Sequence, residues 1–167
     1  MTSSALRPVE LFDPDRHSVE LFRCGQTVLD DWLRRTAAVA AAAGTAATWV
    51  LCRSEVVVGY YALAMGSVER RRVPSRLGRG QPDPVPVLVL ARLALDTTEH
   101  GSGLGADLLR DALARGVAGG RRYGARAIVV EAIDASAADF YRHHGFLPLG
   151  GPWLYRRMGD IERSIGT

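Results

Sequence analysis

Lysine is missing from this chain: all 21 basic side chains are arginine. A Walker-type phosphate loop, which needs Gly-Lys-Ser/Thr, is therefore excluded. Cysteine is scarce, and Cys24 and Cys52 lie far apart, which in a reducing compartment predicts two free thiols. Neither they nor His17, His100, His143 and His144 stand at zinc-ligand spacing, so no metal site is expected. The N-terminal "MTSSALRPVELF" lacks a basic segment followed by an apolar one. The longest weakly polar run, "AAVAAAAGTAATWVLC", is mostly alanine and too short to span a bilayer. No membrane partner is expected, and the chain reads as cytoplasmic. Repeats and linkers are absent too, and a composition 47% hydrophobic and 23% charged excludes disorder. A single domain over residues 1–167 follows.

What the chain does have is clustered positive charge, with a net charge of +3. The stretch "SVERRRVPSRLGRGQ" sets Arg70, Arg71, Arg72, Arg76 and Arg79 against one acid, Glu69. A planar guanidinium pairs with phosphate through two parallel hydrogen bonds, so such a cluster suits a polyanion, although a solvated loop would look the same. Arg34 and Arg35 end an exposed helix face, and Arg92 lies in a predicted strand, whose alternation alone would point it at a sheet face, paired with an acid. If these cations surround one entrance, they grip an RNA backbone by charge. Few aromatics interleave them, which favours a folded RNA end held by shape over bases read by stacking.

Periodicity supplies the fold class. A short strand is expected at "PVELF", and then "QTVLDDWLRRTAAVAAAAG" sets Leu29, Trp32, Leu33, Ala37 and Ala40 on one helical face, stopped by Gly44. "ATWVLCRSEVVVGYYALAMGSV" reads as a hairpin turning at "RSE". Residues 69–86 are expected to be loop, because Pro74, Pro82, Pro84 and Pro86 oppose regular structure. "VLVLARLALD" has the continuous apolar character of a central strand. A helix marked by Leu104, Leu108, Leu109, Ala112, Leu113 and Val117 follows and ends near Gly119 and Gly120. "ARAIVVEA" is a strand and "DASAADFYRHH" a helix, capped by Asp134 or Ser136 and closed by Gly145. "FLPL" and "WLYRRMG" form a terminal hairpin. The order is β-α-β-β-β-α-β-α-β-β, an α/β class with a mixed sheet.

Between the central strand and the second helix lies "EHGSGLGADLL". Free N–H groups at a helix start make an anion site, and glycines at 101, 103 and 105 let a ligand approach the backbone. Purely structural punctuation is the alternative. Gly101, Gly103 and Ala106 also fit a loose dinucleotide fingerprint, but only about sixty residues remain for the further βαβ units that fold needs.

The segment "HGSGLG" is similar to the acetyl-CoA motif of the GNAT acetyltransferase superfamily, Arg/Gln-x-x-Gly-x-Gly/Ala after a central strand. Gly103 and Gly105 fit, and His100 stands where arginine or glutamine is usual. "DASAADFYRHHGF" resembles the superfamily's Asn-x-x-Ala-x-x-Leu/Phe-Tyr-x-x-x-Gly-Phe segment at Ala137, Phe140, Tyr141, Gly145 and Phe146, with Asp134 replacing asparagine. The resemblance implies the GNAT acyl-CoA N-acyltransferase fold. It implies that the turn His100, Gly101, Ser102, Gly103, Leu104, Gly105 and Ala106 holds the coenzyme A pyrophosphate by its backbone, with the N–H groups of 101–106 as donors. The backbone of Leu93, Ala94 and Leu95 would pair with the pantetheine arm, and Tyr141 would be the general acid near the sulfur; Phe140 reads as core. With "CGQTVLDDWLRR", "GYYALAMGSVERR" and "PDPVPVLVLARLALD", the chain looks like the GNAT toxins of bacterial type II toxin–antitoxin modules. That likeness implies acetylation of the α-amine of aminoacyl-tRNA, a ribbon–helix–helix antitoxin and a homodimer. An acetyltransferase of a small amine, antibiotic or protein, or an idle coenzyme A or RNA-binding module, are the alternatives.

Acid–base chemistry bears on the acceptor. A lysine amine is only roughly 0.04% neutral at pH 7, whereas an α-amine is roughly 10–15% neutral unaided. No convincing base stands out: Asp96 and Glu131 sit at strand ends, where a capping or solvated carboxylate is equally expected. Weak evidence for a base therefore fits an α-amine better. Tyr141, protonated at neutral pH, can supply the proton the departing thiolate needs.

Overall fold

The computed structural model describes residues 4–165. Seven strands make one mixed sheet: β1 (Glu10–Leu11), β2 (Ala47–Arg53), β3 (Val56–Val68), β4 (Val85–Leu95), β5 (Ala127–Glu131), β6 (Leu147–Gly150) and β7 (Trp153–Arg157). Their spatial order is β1-β2-β3-β4-β5-β7-β6. β4 and β5 run parallel, while the β1–β2, β2–β3, β5–β7 and β6–β7 pairs are antiparallel. The helices are α1 (Thr27–Asp31), continued by a π-helical stretch Trp32–Thr36 and α2 (Ala37–Ala43), then α3 (Ser75–Gly78), α4 (Leu104–Arg122), α5 (Ala135–His143) and α6 (Met158–Ile165).

The predicted succession is present in order, with four corrections. β1 is only two residues long, although just past its end the Phe12 N–H still donates to the Thr48 carbonyl of β2 at 2.9 Å. The proline-rich stretch is not all loop: Arg70–Arg72 form a 3₁₀ turn, Ser75–Gly78 a helical turn, and β4 already begins at Val85. Pro74 precedes the first helical residue, where its missing N–H costs nothing. Pro86 takes part in the sheet region through its carbonyl alone, which accepts from the Arg126 N–H at 2.9 Å. α4 passes through Gly119 and Gly120 to Arg122. "WLYRRMG" leaves the strand at Arg157: Met158 and Ile161, one helical turn apart, are both buried, and Asp160 holds Arg157 at 2.9 Å.

The chain divides into two compact units, residues 4–63 with 92–111 and residues 64–91 with 112–165. The first has a core of Phe22, Leu33, Ala37, Val50, Val57 and Tyr60, onto which Leu29 and Trp32 pack. Leu33, Ala37 and Ala40 are the buried face of the first helix, as its spacing predicts, and Gly44 ends it. The second unit centres on Leu77, Val85, Val87, Ala127, Val129 and Tyr155, with Val89 and Trp153 packed against them. Burying a side chain such as Val50 or Leu33 contributes about 1.5–3 kcal/mol. Both cysteines are buried and free, and burial pushes each thiol up to about 11.

Candidate active site

In the first unit, β4 delivers the chain to Asp96, whose carboxylate accepts from the N–H groups of Thr98 and Arg23, both at 3.0 Å. Burial pushes this carboxyl up, but these bonds and the Thr98 hydroxyl outweigh it and hold it below the ordinary carboxylate range. Asp96 is therefore a cap for the 3₁₀ turn Thr97–Glu99, the capping alternative of the two raised for it. Glu131, the other base candidate, is exposed at the end of β5. Glu99 is nearly buried and takes both arms of the Arg53 guanidinium, at 2.5 and 3.1 Å. Ser102 Oγ donates to the Glu99 carbonyl at 2.5 Å, and a His100 ring nitrogen donates to the Leu95 carbonyl at 2.7 Å. His100 thus ties the turn to its own strand.

These anchors hold a turn that is bare where a ligand would lie. Gly101 and Gly103 adopt φ of +78° and +82°, and no heavy atom lies within 4 Å of where a Cβ would stand on either. Among the described residues, no acceptor is engaged by the N–H groups of 101–106. The 19-residue α4 adds the positive end of its dipole, and Leu108 and Leu109 bury its first turns. Asp107, the acid in that first turn, lies 3.7 Å from Arg110. A pyrophosphate fits this arrangement: open space, free donors and a helix start.

The parallel ladder is short. Leu88, Val89 and Leu90 pair with Ile128, Val129 and Val130, and β4 then runs on to Leu95 beyond the last rung. The stretch containing Leu93, Ala94 and Leu95 is the part of β4 that the resemblance assigns to the pantetheine arm.

In the second unit, Asp134 caps α5 by accepting from the Ala137 N–H at 2.8 Å; Ser136 is not the cap. Tyr141 is 6% exposed, with its ring edge-on to Phe140 at 5.3 Å and to Phe146 at 5.5 Å. Its hydroxyl has no hydrogen-bond partner among the described residues. Burial pushes its pKa above the ordinary tyrosine value, so it keeps its proton throughout the physiological range. Tyr60, in the first unit, is raised in the same direction, but its hydroxyl is spent on the Leu29 carbonyl at 2.6 Å.

The arginines divide between the units. In the first, the Arg92 guanidinium lies over the Trp32 ring, 4.4 Å from its centroid, and that ring stacks on Tyr60 at 6.0 Å and 6°. Arg92 therefore meets a π-face where an acid was one expectation, and this stack had no local sequence signal. Arg34 donates to the Phe22 carbonyl and lies 3.6 Å from Asp31, whereas Arg35 is exposed. In the second unit, Arg70, Arg71, Arg72, Arg76 and Arg79 are all exposed. Arg71 pairs with Glu69 at 2.5 Å, and the Arg70 guanidinium donates to the Gln81 carbonyl at 3.1 Å. The same unit holds a cavity of about 510 Å³ with Arg72, Val87, Val129 and Trp153 in its lining. No sequence feature marks it, because its walls come from five strands and the arginine loop.

Among the described residues no three His, Cys, Asp or Glu side chains gather as metal ligands, and no helix is long and apolar enough to cross a membrane. Comparison with known proteins gives the geometry a family. The chain is 46% identical over 154 residues to the tRNA-acetylating toxin of Mycobacterium tuberculosis, covering 91% of this chain and 93% of that protein. The solved structure of AtaT complexed with acetyl-methionyl-tRNAfMet matches with a TM-score of 0.87 at 27% identity, over 96% of this chain and 99% of that one. A tyrosine-to-phenylalanine variant of AtaT, bound to the C-terminus of the antitoxin AtaR and acetyl-CoA, matches with a TM-score of 0.83 at 26% identity, over 98% and 100% of the two chains. The profile of the Acetyltransferase (GNAT) family matches residues 8–146, and this chain belongs to that family.

Proposed function

We propose that this protein is a toxin that uses acetyl-CoA to acetylate the α-amine of aminoacyl-tRNA, and so blocks translation. The observation that carries this reading is the anchored glycine cradle at Gly101–Ala106, in a chain 46% identical to a tRNA-acetylating toxin. Bound acetyl-CoA supplies an activated acetyl group. Backbone N–H groups of 101–106 bind its pyrophosphate, the backbone of Leu93, Ala94 and Leu95 orients its arm, and His100 stiffens the turn through Leu95. Tyr141 holds a proton at its hydroxyl for the departing sulfur; the un-ionised phenol that burial enforces suits that task. An α-amine, partly neutral without help, suits a site whose Asp96 is already committed as a cap.

Arg34, Arg35, Arg70, Arg71, Arg72, Arg76, Arg79 and Arg92 supply the charge for the RNA backbone, with the loop arginines foremost because they are exposed. The family match runs through parts of both compact units, which supports their acting as one catalytic domain over 1–167. The likeness to AtaT, which has been solved with the antitoxin AtaR, supports an antitoxin partner, of ribbon–helix–helix type by the sequence resemblance. The same resemblance supports a homodimer, and a charged-tRNA substrate supports a cytoplasmic site of action.

The test offers radiolabelled acetyl-CoA to aminoacyl-tRNAs, lysine peptides and polyamines in one pool. Label on the aminoacyl-tRNA α-amine is the expected result. Label confined to peptides or polyamines overturns the toxin reading and leaves the family assignment standing.

A further inference from the structure

The C-terminal end of α4 carries side chains that the chemistry above does not use. After Arg122 the chain turns through Tyr123 and Gly124 towards β5, reading "RRYGAR" over residues 121–126. Its backbone is fixed. The N–H groups of Tyr123 and Ala125 donate to the Gly120 carbonyl at 3.2 and 2.9 Å, and Gly124 closes the turn at φ +83°. A Cβ on Gly120 would stand 2.6 Å from the Met158 methyl group, so α4 lies close against α6 there, and Ala125 is buried. The Arg126 N–H donates to the Pro86 carbonyl at 2.9 Å, and the Arg126 carbonyl accepts from the Met158 N–H at 3.1 Å. Between these anchors Tyr123 is 73% exposed, an aromatic ring that the fold does not bury.

Charge around this ring is unbalanced. Glu162 holds Arg121 at 2.9 Å, and Asp160 holds Arg157 at 2.9 Å and also pairs with Arg163. The guanidinium groups of Arg122 and Arg126 are exposed and have no ion pair or hydrogen bond among the described residues. Arginines in the last turn of α4 complement its dipole, but Arg126 lies beyond the helix and Tyr123 adds nothing to that effect. β4 and β5 run parallel, so Val85, which follows the arginine loop, and Ala127 start at the same end of the sheet. The turn and the arginine loop share that end.

We propose that this turn is a second RNA contact: Tyr123 stacks on an unpaired base in the body of the substrate tRNA, and Arg122 and Arg126 pair with the phosphates beside it. This rests on the reading of the protein as an aminoacyl-tRNA acetyltransferase. Unpaired bases are the part of a folded RNA that an exposed aromatic ring accepts, and guanidinium groups bind the adjoining phosphates through paired hydrogen bonds. An acidic protein segment would satisfy the arginines and give the ring no flat partner. The nucleotide that carries the reacting amine belongs at the catalytic centre. Tyr123 follows the last residue of α4, whose 19 residues rise about 28 Å from their start at the glycine turn, and so meets a different nucleotide. Stacking tolerates any base, so the contact adds affinity for tRNA without choosing its amino acid.

The test measures, by fluorescence anisotropy, how the full chain binds a labelled full-length tRNA and a minihelix made of its acceptor stem and 3′ end alone. Tyr123→Ala is expected to weaken binding of the full-length tRNA about tenfold and to spare the minihelix. Tyr123→Phe should match the parent, because stacking uses the ring and not the hydroxyl. Arg122→Ala combined with Arg126→Ala should weaken the tRNA and lower its salt slope by about one to two units. Acetyl-CoA affinity, melting temperature and oligomeric state should stay at the parent values in all three. Parent affinity for tRNA in Tyr123→Ala, an equal loss on the minihelix, or a changed oligomeric state each overturns the proposal. Transfer to aminoacyl-tRNA by Tyr123→Ala at the parent's KM also overturns it, and leaves the function standing. A parent that binds tRNA through Tyr123 but transfers acetyl to no aminoacyl-tRNA supports the surface and overturns the function.

Discussion

The two compact units present their hydrogen-bond donors by opposite means. Around Gly101–Ala106 the donors are backbone N–H groups, fixed by the Arg53–Glu99 pair and by His100 on Leu95. Around residues 69–84 the donors are guanidinium groups on long side chains, most of them in solvent. Backbone donors are already immobilised, so they suit one ligand of one shape. Exposed arginines adapt, lose rotamer freedom on binding and respond to salt, which suits a large polyanion gripped at several points. In this reading the donor substrate is recognised by shape and the acceptor by charge.

The sharpest way to break that division is to remove the one group assigned to chemistry alone. Tyr141→Phe is expected to lower the transfer rate about a hundredfold while acetyl-CoA affinity stays at the parent value. A variant as active as the parent would end the acid assignment. Gly103→Val comes next. Its φ of +82° strains a branched residue, and the new side chain enters the cradle, so KM for acetyl-CoA should rise about tenfold while tRNA affinity holds. Steady-state kinetics against each substrate separates the two effects.

The complementary change is on the loop. Arg71→Ala combined with Arg76→Ala should weaken tRNA binding and flatten its dependence on log salt by about one to two units of slope, leaving KM for acetyl-CoA alone. Equal salt slopes in parent and variant would show that these arginines only solvate the loop. The smallest effect concerns the anchor. The Arg53 guanidinium holds the Glu99 carboxyl below its ordinary value of 4.5. The unfolded chain therefore takes up the proton first on acidification. The pair's contribution is full above the ordinary value and is lost as pH falls through the lower folded value. Thermal melts of parent and Glu99→Gln should differ near pH 6 and converge towards pH 3. A gap independent of pH would mean that Glu99 acts by packing rather than by charge.

Legibility in the sequence followed range. The first helix, the hairpin and the buried strands each bury apolar groups at a local period, and all stand where that period puts them. The misread elements are those where a local rule met a longer-range one. "WLYRRMG" alternates well enough for a strand, yet Met158 and Ile161 bury as one helical turn. Pro86 opposes a strand locally, yet its carbonyl alone meets the Arg126 N–H. The sequence leaves the helix cap open between Asp134 and Ser136, and Asp96 open as a base or a cap; only the bonds to Ala137, Thr98 and Arg23 decide.

The sequence by itself determined the order of strands and helices, the glycine turn at a helix start and the tyrosine segment that together mark the family. Each is written in neighbouring residues, through periodicity, missing side chains or motif spacing. Tertiary structure alone decided that Arg92 lies on Trp32, that Arg53 braces the turn through Glu99, and that a cavity opens under the arginine loop. Those contacts join residues far apart in the chain. Their energy depends on which surfaces packing brings together, and no local pattern records that.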